Sequence, residues 1–498
     1  MTETVDRRTV ADPAGVADGT PDPRRWLALC IIAVAQLMVV LDASIVNIAI
    51  PHAQSSLHIS TANRQWMVTA YTLAFGGLLL LGGRIADYLG RKRAFMLGLF
   101  GFAVASALGG VAPNAGLLFA ARALQGAFAA VLAPAALSLI TVTFTESKER
   151  ARAFGVYGAI SGGGAAIGLI VGGILTEYAS WRWCLLVNVP IALVTAIAAA
   201  PVVRESKASG EARYDLPGAL TVTAGLVALV YGFTVAAEDG WSDPRTLGLL
   251  VGSVVLLVLF VVIEARSSAP LLPLRVALER NRGGSFLACL LTGAGLFSMF
   301  LFLTYYFQQT LGYSALKSGF AFLPFSGGII VSAGLASQLL PRVGPRILAG
   351  SGGLLAALGM ALLVGIGLDS SFVAHVLPSE LLISFGMGLS FVPLSSVALV
   401  GVGAHDAGVA SALVNTTQQV GGALGTALLN TVYATAVTGY LVDHHGPRAV
   451  AQSQIEGYTT AFIWGAVFIA LSAIVVFVLV TAGRDTTSNT EAVPAHAG

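Results

Sequence analysis

Gly83-Arg84-Ile85-Ala86-Asp87-Tyr88-Leu89-Gly90-Arg91-Lys92-Arg93 is a polar stretch set between two long apolar runs, residues 66–82 and 94–111. A chain that leaves a membrane, turns within about ten residues and re-enters needs glycine for the tight path and charge for the water layer. Gly83 and Gly90 supply the first, and Arg84, Asp87, Arg91, Lys92 and Arg93 the second. The excess of positive charge assigns the loop to the cytoplasmic side. The orientation of every other segment follows from that assignment.

Composition agrees with a membrane location. Of 498 residues, 56% are hydrophobic and only 10% charged, with a mean hydropathy of +0.82. Soluble domains carry about 25% charged residues, so the chain reads as an all-α polytopic membrane protein. Cys30, Cys184 and Cys289 show no paired spacing, which suggests neither a disulfide framework nor a metal site. The His444-His445 pair reads as a solvated turn. The sequence holds no catalytic Ser/His/Asp set, phosphate loop or dinucleotide fingerprint, so neither an enzyme nor a cofactor is expected. The net charge of +2 gives no reason to expect a nucleic-acid partner.

A span needs about 20 apolar residues, and fourteen such runs can be counted. Residues 1–25 read as a disordered cytoplasmic tail and 26–203 as a first bundle with spans near 26–50, 66–83, 94–111, 115–143, 152–176 and 183–203. A linker at 204–216 leads to two spans within 217–265, and a second linker covers 266–283. The last bundle, 284–482, has spans near 284–309, 317–340, 346–368, 374–400, 408–434 and 458–482, followed by a tail at 483–498. With both ends inside, twenty-one of the 27 lysines and arginines fall on the cytoplasmic side. An odd number of spans would invert the sign of the later loops.

Two internal echoes organise the count. Leu340-Pro341-Arg342-Val343-Gly344-Pro345-Arg346 repeats the layout of the opening loop, with Gly344 in the place of Gly90 and no acid in the place of Asp87. Gly162, Gly163, Gly172 and Gly173 of span 5 have a counterpart in Gly421, Gly422 and Gly425 of span 13. Both echoes relate spans 1–6 to spans 9–14 and leave 7 and 8 as an inserted pair. Two six-span halves around a midplane site are a transporter architecture.

The chain resembles the fourteen-span drug:proton antiporter branch of the major facilitator superfamily over nearly its whole length. Gly83, Asp87, Gly90, Arg91 and Lys92 match the signature between spans 2 and 3. Residues 41–51, Leu-Asp-Ala-Ser-Ile-Val-Asn-Ile-Ala-Ile-Pro, resemble the branch's span 1 signature, with Ser44 where threonine is usual. Arg122, Gln125 and Gly126 match the span 4 signature, and Trp181-Arg182-Trp183 with Asn188 and Pro190 the approach to span 6. The resemblance implies the major-facilitator fold, alternating access and coupling to protons.

Against that frame, individual residues become candidates. Asp42 lies near the middle of span 1, where an ionised acid costs roughly 3 kcal/mol. It is either a proton-coupling or cation-recognising acid or a polar tie between span 1 and a neighbour. Arg122 stays charged and can act only electrostatically. The resemblance gives it a part in proton transfer beside an acid, and the alternative is a structural arginine bonded to carbonyls of span 1. Gly83, Asp87, Gly90 and Arg91 form the expected conformational gate, locking the two halves at the inner face.

Gly164, Gly168, Gly172 and Gly173 form a small-residue stripe in span 5, which serves either as a sliding seam or as ordinary close packing. Leu169 stands where the family's antiporter signature has proline. Glu380, near the outer end of span 12, is either a second titrating acid in proton coupling or an interfacial charge. The substrate cavity is expected from Asn47, Gln125, Phe297, Tyr305, Tyr306, Gln309, Asn415 and Gln419, since aromatic faces with a few amides suit bulky cations. For the tyrosines and phenylalanine the alternative is the interfacial aromatic belt.

The expected function is proton-coupled efflux of hydrophobic or cationic drugs or antibiotics across a bacterial inner membrane, driven by the proton gradient without a cofactor. The expected partners are the drug, protons and the lipid bilayer, with the protein acting as a monomer. Two alternatives remain: a dedicated exporter of one self-made antibiotic or metabolite, and a membrane sensor that does not transport.

Overall fold

The structure, a computed structural model, describes residues 23–144, 146–207, 215–268, 270–402 and 407–483. The tails at 1–22 and 484–498 and most of the first linker lie outside the described residues. Among those described, fourteen helices are long and apolar enough to cross a membrane. They are α1 (Arg25–Ser56), α2 (Trp66–Leu89), α3 (Arg91–Gly110), α4 (Ala115–Thr143), α5 (Lys148–Tyr178), α6 (Trp183–Val202) and α7 (Leu216–Asp239). There follow α8 (Pro244–Arg266), α9 (Arg280–Thr310), α10 (Ala315–Val343), α11 (Pro345–Gly365), α12 (Phe372–Leu399), α13 (Gly408–Asp443) and α14 (Arg448–Leu479).

In hydrocarbon every backbone polar group must bond within its own segment, so apolar runs of this length become helices. Their ends are closed by side chains from the polar connections. Asn114 accepts from the Leu117 amide at 2.9 Å to cap α4, and Asp215 accepts from the Gly218 amide at 2.8 Å to cap α7. Several helices run past the apolar cores that define them. α14 begins at Arg448, ten residues before the expected start at 458, because Pro447 and the polar turns after it continue the helix into the water layer.

The packing repeats. In the first half α1 packs on α5, α2 and α3 on α4, and α3 on α6. In the second half α9 packs on α13, α10 and α11 on α12, and α11 on α14. Each pair recurs eight helices later, which is the internal repeat read from the glycines. Between the halves, α2 meets α13 and α5 meets α10, again an equivalent pair. The inserted helices break this symmetry: α7 lies along the α2–α13 seam while α8 packs on α7 and leaves Val251, Val254, Val255 and Val258 exposed.

The two seams are unlike. At the face opposite the α2–α3 loop, a Cβ on Gly173 would lie 2.7 Å from Leu316 of α10, and one on Gly319 would lie 2.5 Å from the Leu169 carbonyl. Toward the basic face, Gly155, Gly158 and Gly163 of α5 and Gly327 and Gly334 of α10 have nothing within 4 Å of a Cβ. The halves are therefore joined over the face opposite the basic loop, the outer face if that loop is cytoplasmic, and parted between α5 and α10 at the basic face.

Candidate functional site

Asp42 sits on α1 at the centre of the first half and is wholly buried. Its Oδ2 accepts from Nη1 of Arg122 at 2.6 Å. Its Oδ1 accepts from Nε2 of Gln125 at 3.0 Å and from Nδ2 of Asn188 at 2.7 Å. Residues three apart on a helix share a face, which is how α4 delivers both Arg122 and Gln125 to one carboxylate. Arg122 also donates from Nε to the Met67 carbonyl at 2.9 Å and from Nη1 to Oε1 of Gln125 at 2.8 Å, with its guanidinium 4.6 Å from the centre of the Tyr71 ring. Gln125 passes a further bond to Ser106 of α3 at 2.7 Å.

One carboxylate thus gathers α1, α2, α3, α4 and α6. A buried ion pair is tolerable only with this density of supporting bonds, because desolvation of the two ions rivals their attraction. The expectation that Arg122 bonds carbonyls of α1 is corrected: the carbonyl it reaches belongs to Met67 of α2. Nearby free space is a cavity of about 10 Å³ lined by Val46, Ile50, Leu118, Cys184 and Arg122, room for about one water. The cluster can hold or release a proton only if the helices around it move or water enters.

The glycine stripe of α5 proves to work inside one half. Gly164 faces Val40 and Leu37, Gly168 faces Ser44 and the Leu41 carbonyl, and Gly172 faces Ile45, all on α1. Only Gly173 meets the second half. The stripe holds α5 against the helix that carries Asp42, and Gly173 alone of the four reaches α10.

Bonds of the basic loop run within the loop and to the two linkers. Asp87 and Arg91 pair with each other at 3.4 Å across one turn. The amide of Arg91 donates to the Ser206 carbonyl at 2.8 Å, and the Lys92 and Arg93 amides donate to the Glu205 carboxylate. Gly90 takes φ = 111°, a conformation that side chains resist, while Gly83 has only ordinary contact with Pro134. The loop is clamped by the linker after α6, and Arg84 donates to the Pro270 carbonyl of the second linker at 3.4 Å.

At the face opposite the basic loop a second cluster appears, around Arg64. Arg64 is 2% exposed. Its guanidinium lies 4.0 Å from the centre of the Tyr305 ring and 4.6 Å from that of Tyr433, and its Nε donates to Oδ1 of Asn430 at 3.1 Å. Asn430 of α13 in turn donates to the Thr61 carbonyl at 2.9 Å. Tyr305 donates to Gln54 of α1, and Nε2 of Gln308 donates to the Ile48 carbonyl at 3.0 Å. These bonds join the halves. α7 is tied in as well, through Thr234 to Gln65 at 2.9 Å and through the Phe233 carbonyl to Thr431 at 2.7 Å.

The candidate cavity residues divide. Tyr305 and Tyr306 belong to the buried outer plug, with Tyr306 donating to the Gly367 carbonyl at 2.8 Å. They are neither in an open cavity nor in an interfacial belt. Gln125 is wholly buried in the Asp42 cluster. Phe297 is half-buried over Gly422, Gln419 is half-buried on Gly76, Asn47 is half-buried on α1, and Asn415 and Gln309 are exposed. Glu380 is fully buried, which corrects its placement at the interface, and neither of its oxygens has a hydrogen-bond partner among the described residues.

Two equivalent six-helix halves, closed at one face and parted at the other, with an ion pair at mid-membrane depth, define a membrane transporter. The family model of the Major Facilitator Superfamily matches residues 32–426. The chain belongs to the major facilitator superfamily. It is 51% identical to the puromycin resistance protein of Streptomyces alboniger over 96% of each chain. It is 40% identical to the cephamycin export protein of Amycolatopsis lactamdurans, over 92% of this chain and 93% of that one. The tetracenomycin C resistance and export protein of Streptomyces glaucescens is 34% identical over 86% of this chain and 80% of its own. Among solved structures, a bacterial homologue of the human lysosomal transporter Spinster, in an inward-facing and unoccupied conformation, shares the fold. It gives a TM-score of 0.66 at 16% identity, over 96% of this chain and 100% of that one.

Proposed function

We propose that this protein exports a small hydrophobic or cationic antibiotic across the bacterial inner membrane in exchange for protons. The observation that carries the reading is the Asp42–Arg122 pair, buried where the helices of the first half converge. Protonation of Asp42 cancels the charge that Arg122 answers, leaving the guanidinium with Gln125 and the Met67 carbonyl. The attraction holding α1 to α4 then weakens, and α5 is keyed to α1 through Gly164, Gly168 and Gly172. α5 also forms one of the seams between halves, so a proton at Asp42 has a physical route to the gate. No cofactor enters this cycle, because the proton gradient supplies the energy.

Both termini would lie in the cytoplasm, a reading the positive loops support, and the opening between α5 and α10 would then face the cytoplasm, ready to load. The protein would act as a monomer, since each chain contains both halves. The names of the relatives favour a second reading of the substrate: a dedicated exporter of one antibiotic, as for the cephamycin export protein. Breadth of efflux separates the two. The test is puromycin and cationic-dye efflux from proteoliposomes with and without an imposed pH gradient. Gradient-dependent efflux of both supports a multidrug exporter, and efflux of puromycin alone supports the dedicated one. Efflux of either that ignores the gradient overturns proton coupling.

A further inference from the structure

The groups that hold Asp42 are not held equally themselves. Gln125 is fixed at both ends of its amide: Nε2 donates to Asp42 and Ser106, and Oε1 accepts from Arg122. Turning it over would face its NH2 toward the guanidinium, donor against donor. Asn188 is fixed at one end only. Its Nδ2 donates to Oδ1 of Asp42 at 2.7 Å, while its own Oδ1 is buried and has no hydrogen-bond partner among the described residues. A buried carbonyl left unpaired is costly, and native structures rarely keep one without a use.

We propose that Asn188 is the positioning residue that accepts the hydrogen bond of protonated Asp42, by inverting its amide. The inference rests on the reading of Asp42 as the coupling acid. In the deprotonated state Asp42 can only accept, and Asn188 presents Nδ2. When a proton binds at Oδ1 of Asp42, that oxygen becomes a donor and Nδ2 faces it as a second donor. Rotation about the last side-chain bond of Asn188 exchanges Nδ2 for Oδ1, which accepts the new O–H bond. No covalent bond in Asn188 changes, and the proton stays on Asp42.

The other groups around Asp42 do not serve. Arg122 of α4 is a donor only. Tyr71 of α2 turns its ring face to Arg122, and its hydroxyl, although also unpartnered, makes no hydrogen bond to Asp42. Cys184 of α6 is engaged with Thr176 at 3.3 Å. Ser106 of α3 meets Gln125 rather than Asp42, and Ser44 of α1 donates to the carbonyls of its own helix. Among the groups bonded to Asp42, Asn188 is the one with an unused acceptor within one bond rotation of the carboxylate.

The test is infrared difference spectroscopy of the full-length protein in lipid bilayers, acid minus alkaline. A carboxylic C=O band lost in Asp42→Asn reports Asp42. In Asn188→Leu, and in Asn188→Ala should leucine fail to fold, that band should move to higher wavenumber as its hydrogen bond is lost. Asn188→Ser, which restores an acceptor, should move it back. A band lost in Asp42→Asn but unmoved in Asn188→Leu and Asn188→Ala overturns the assignment of Asn188 alone. A spectrum in which Asp42→Asn removes no band overturns the coupling role of Asp42, and the proposal with it.

Discussion

Replacing Asn430 by alanine should open the outer face. Asn430 supplies the acceptor for Nε of Arg64 at 3.1 Å and a donor to the Thr61 carbonyl at 2.9 Å, both across the seam between halves. A hydrogen bond to a charged group contributes about 1.5–3 kcal/mol, and an unsatisfied buried donor adds a similar cost. Water replaces both partners once the halves separate, so the loss falls on the closed state. Taking about 2 kcal/mol as the difference, the closed-to-open ratio falls roughly 30-fold, since 1.4 kcal/mol is tenfold.

Spin labels at Ser56→Cys of α1 and Thr438→Cys of α13, both exposed near the outer ends of their helices, read the separation once the three native cysteines are replaced. The intact seam should give one short distance and Asn430→Ala a second, longer population. Arg64→Met should have the smaller effect, because removing a buried cation also removes its desolvation cost, whereas removing its partner strands it. An unchanged distribution in Asn430→Ala, or a larger opening in Arg64→Met, refutes the reasoning.

Gly168→Ala would place a Cβ 1.9 Å from the Ser44 hydroxyl oxygen and 3.0 Å from the Leu41 carbonyl. The expected loss is about 1–3 kcal/mol by overpacking, read as a lower melting temperature and partly restored by adding Ser44→Ala. Equal melting would show that α5 does not depend on this contact. At the start of α9, burial pushes the Glu279 carboxyl up, but the amides of Arg282 and Asn281 and the Arg282 charge outweigh it and hold the group below the ordinary carboxylate range. A lowered folded value means stability that is present above the unfolded pKa of about 4.3 and lost as pH falls through the folded one. The stability gap between the native protein and Glu279→Gln should therefore be full near neutrality and close in acid. A gap independent of pH would contradict the cap.

What the sequence made legible was whatever depends on near neighbours along the chain. Apolar length gave the helices, and the spacing of Arg122 and Gln125 put both on one face of α4. Asp42 stood out because an acid inside an apolar run is costly wherever its partner lies. Asn188 was picked out only as part of a motif and Ser106 not at all, since an amide or hydroxyl near a helix end carries no such penalty until tertiary packing brings it to a charge. Nothing in the short polar loop that carries Arg64 marks it for burial. Its burial depends on α9 and α13, more than 200 residues away. Glu380 failed in the same way, since a first-turn acid looks interfacial unless neighbouring helices cover it. The α5 glycines marked a close approach without naming the partner helix.

The central claim is that Asp42 exchanges its proton in step with the substrate, and proton release on substrate binding tests it most directly. Purified protein in weakly buffered solution, with a pH-sensitive dye, is mixed with puromycin. The native protein should release protons on binding and Asp42→Asn should bind without releasing any. Release of the same size from Asp42→Asn would contradict the account and place the coupling proton elsewhere, with the buried Glu380 the first group to examine.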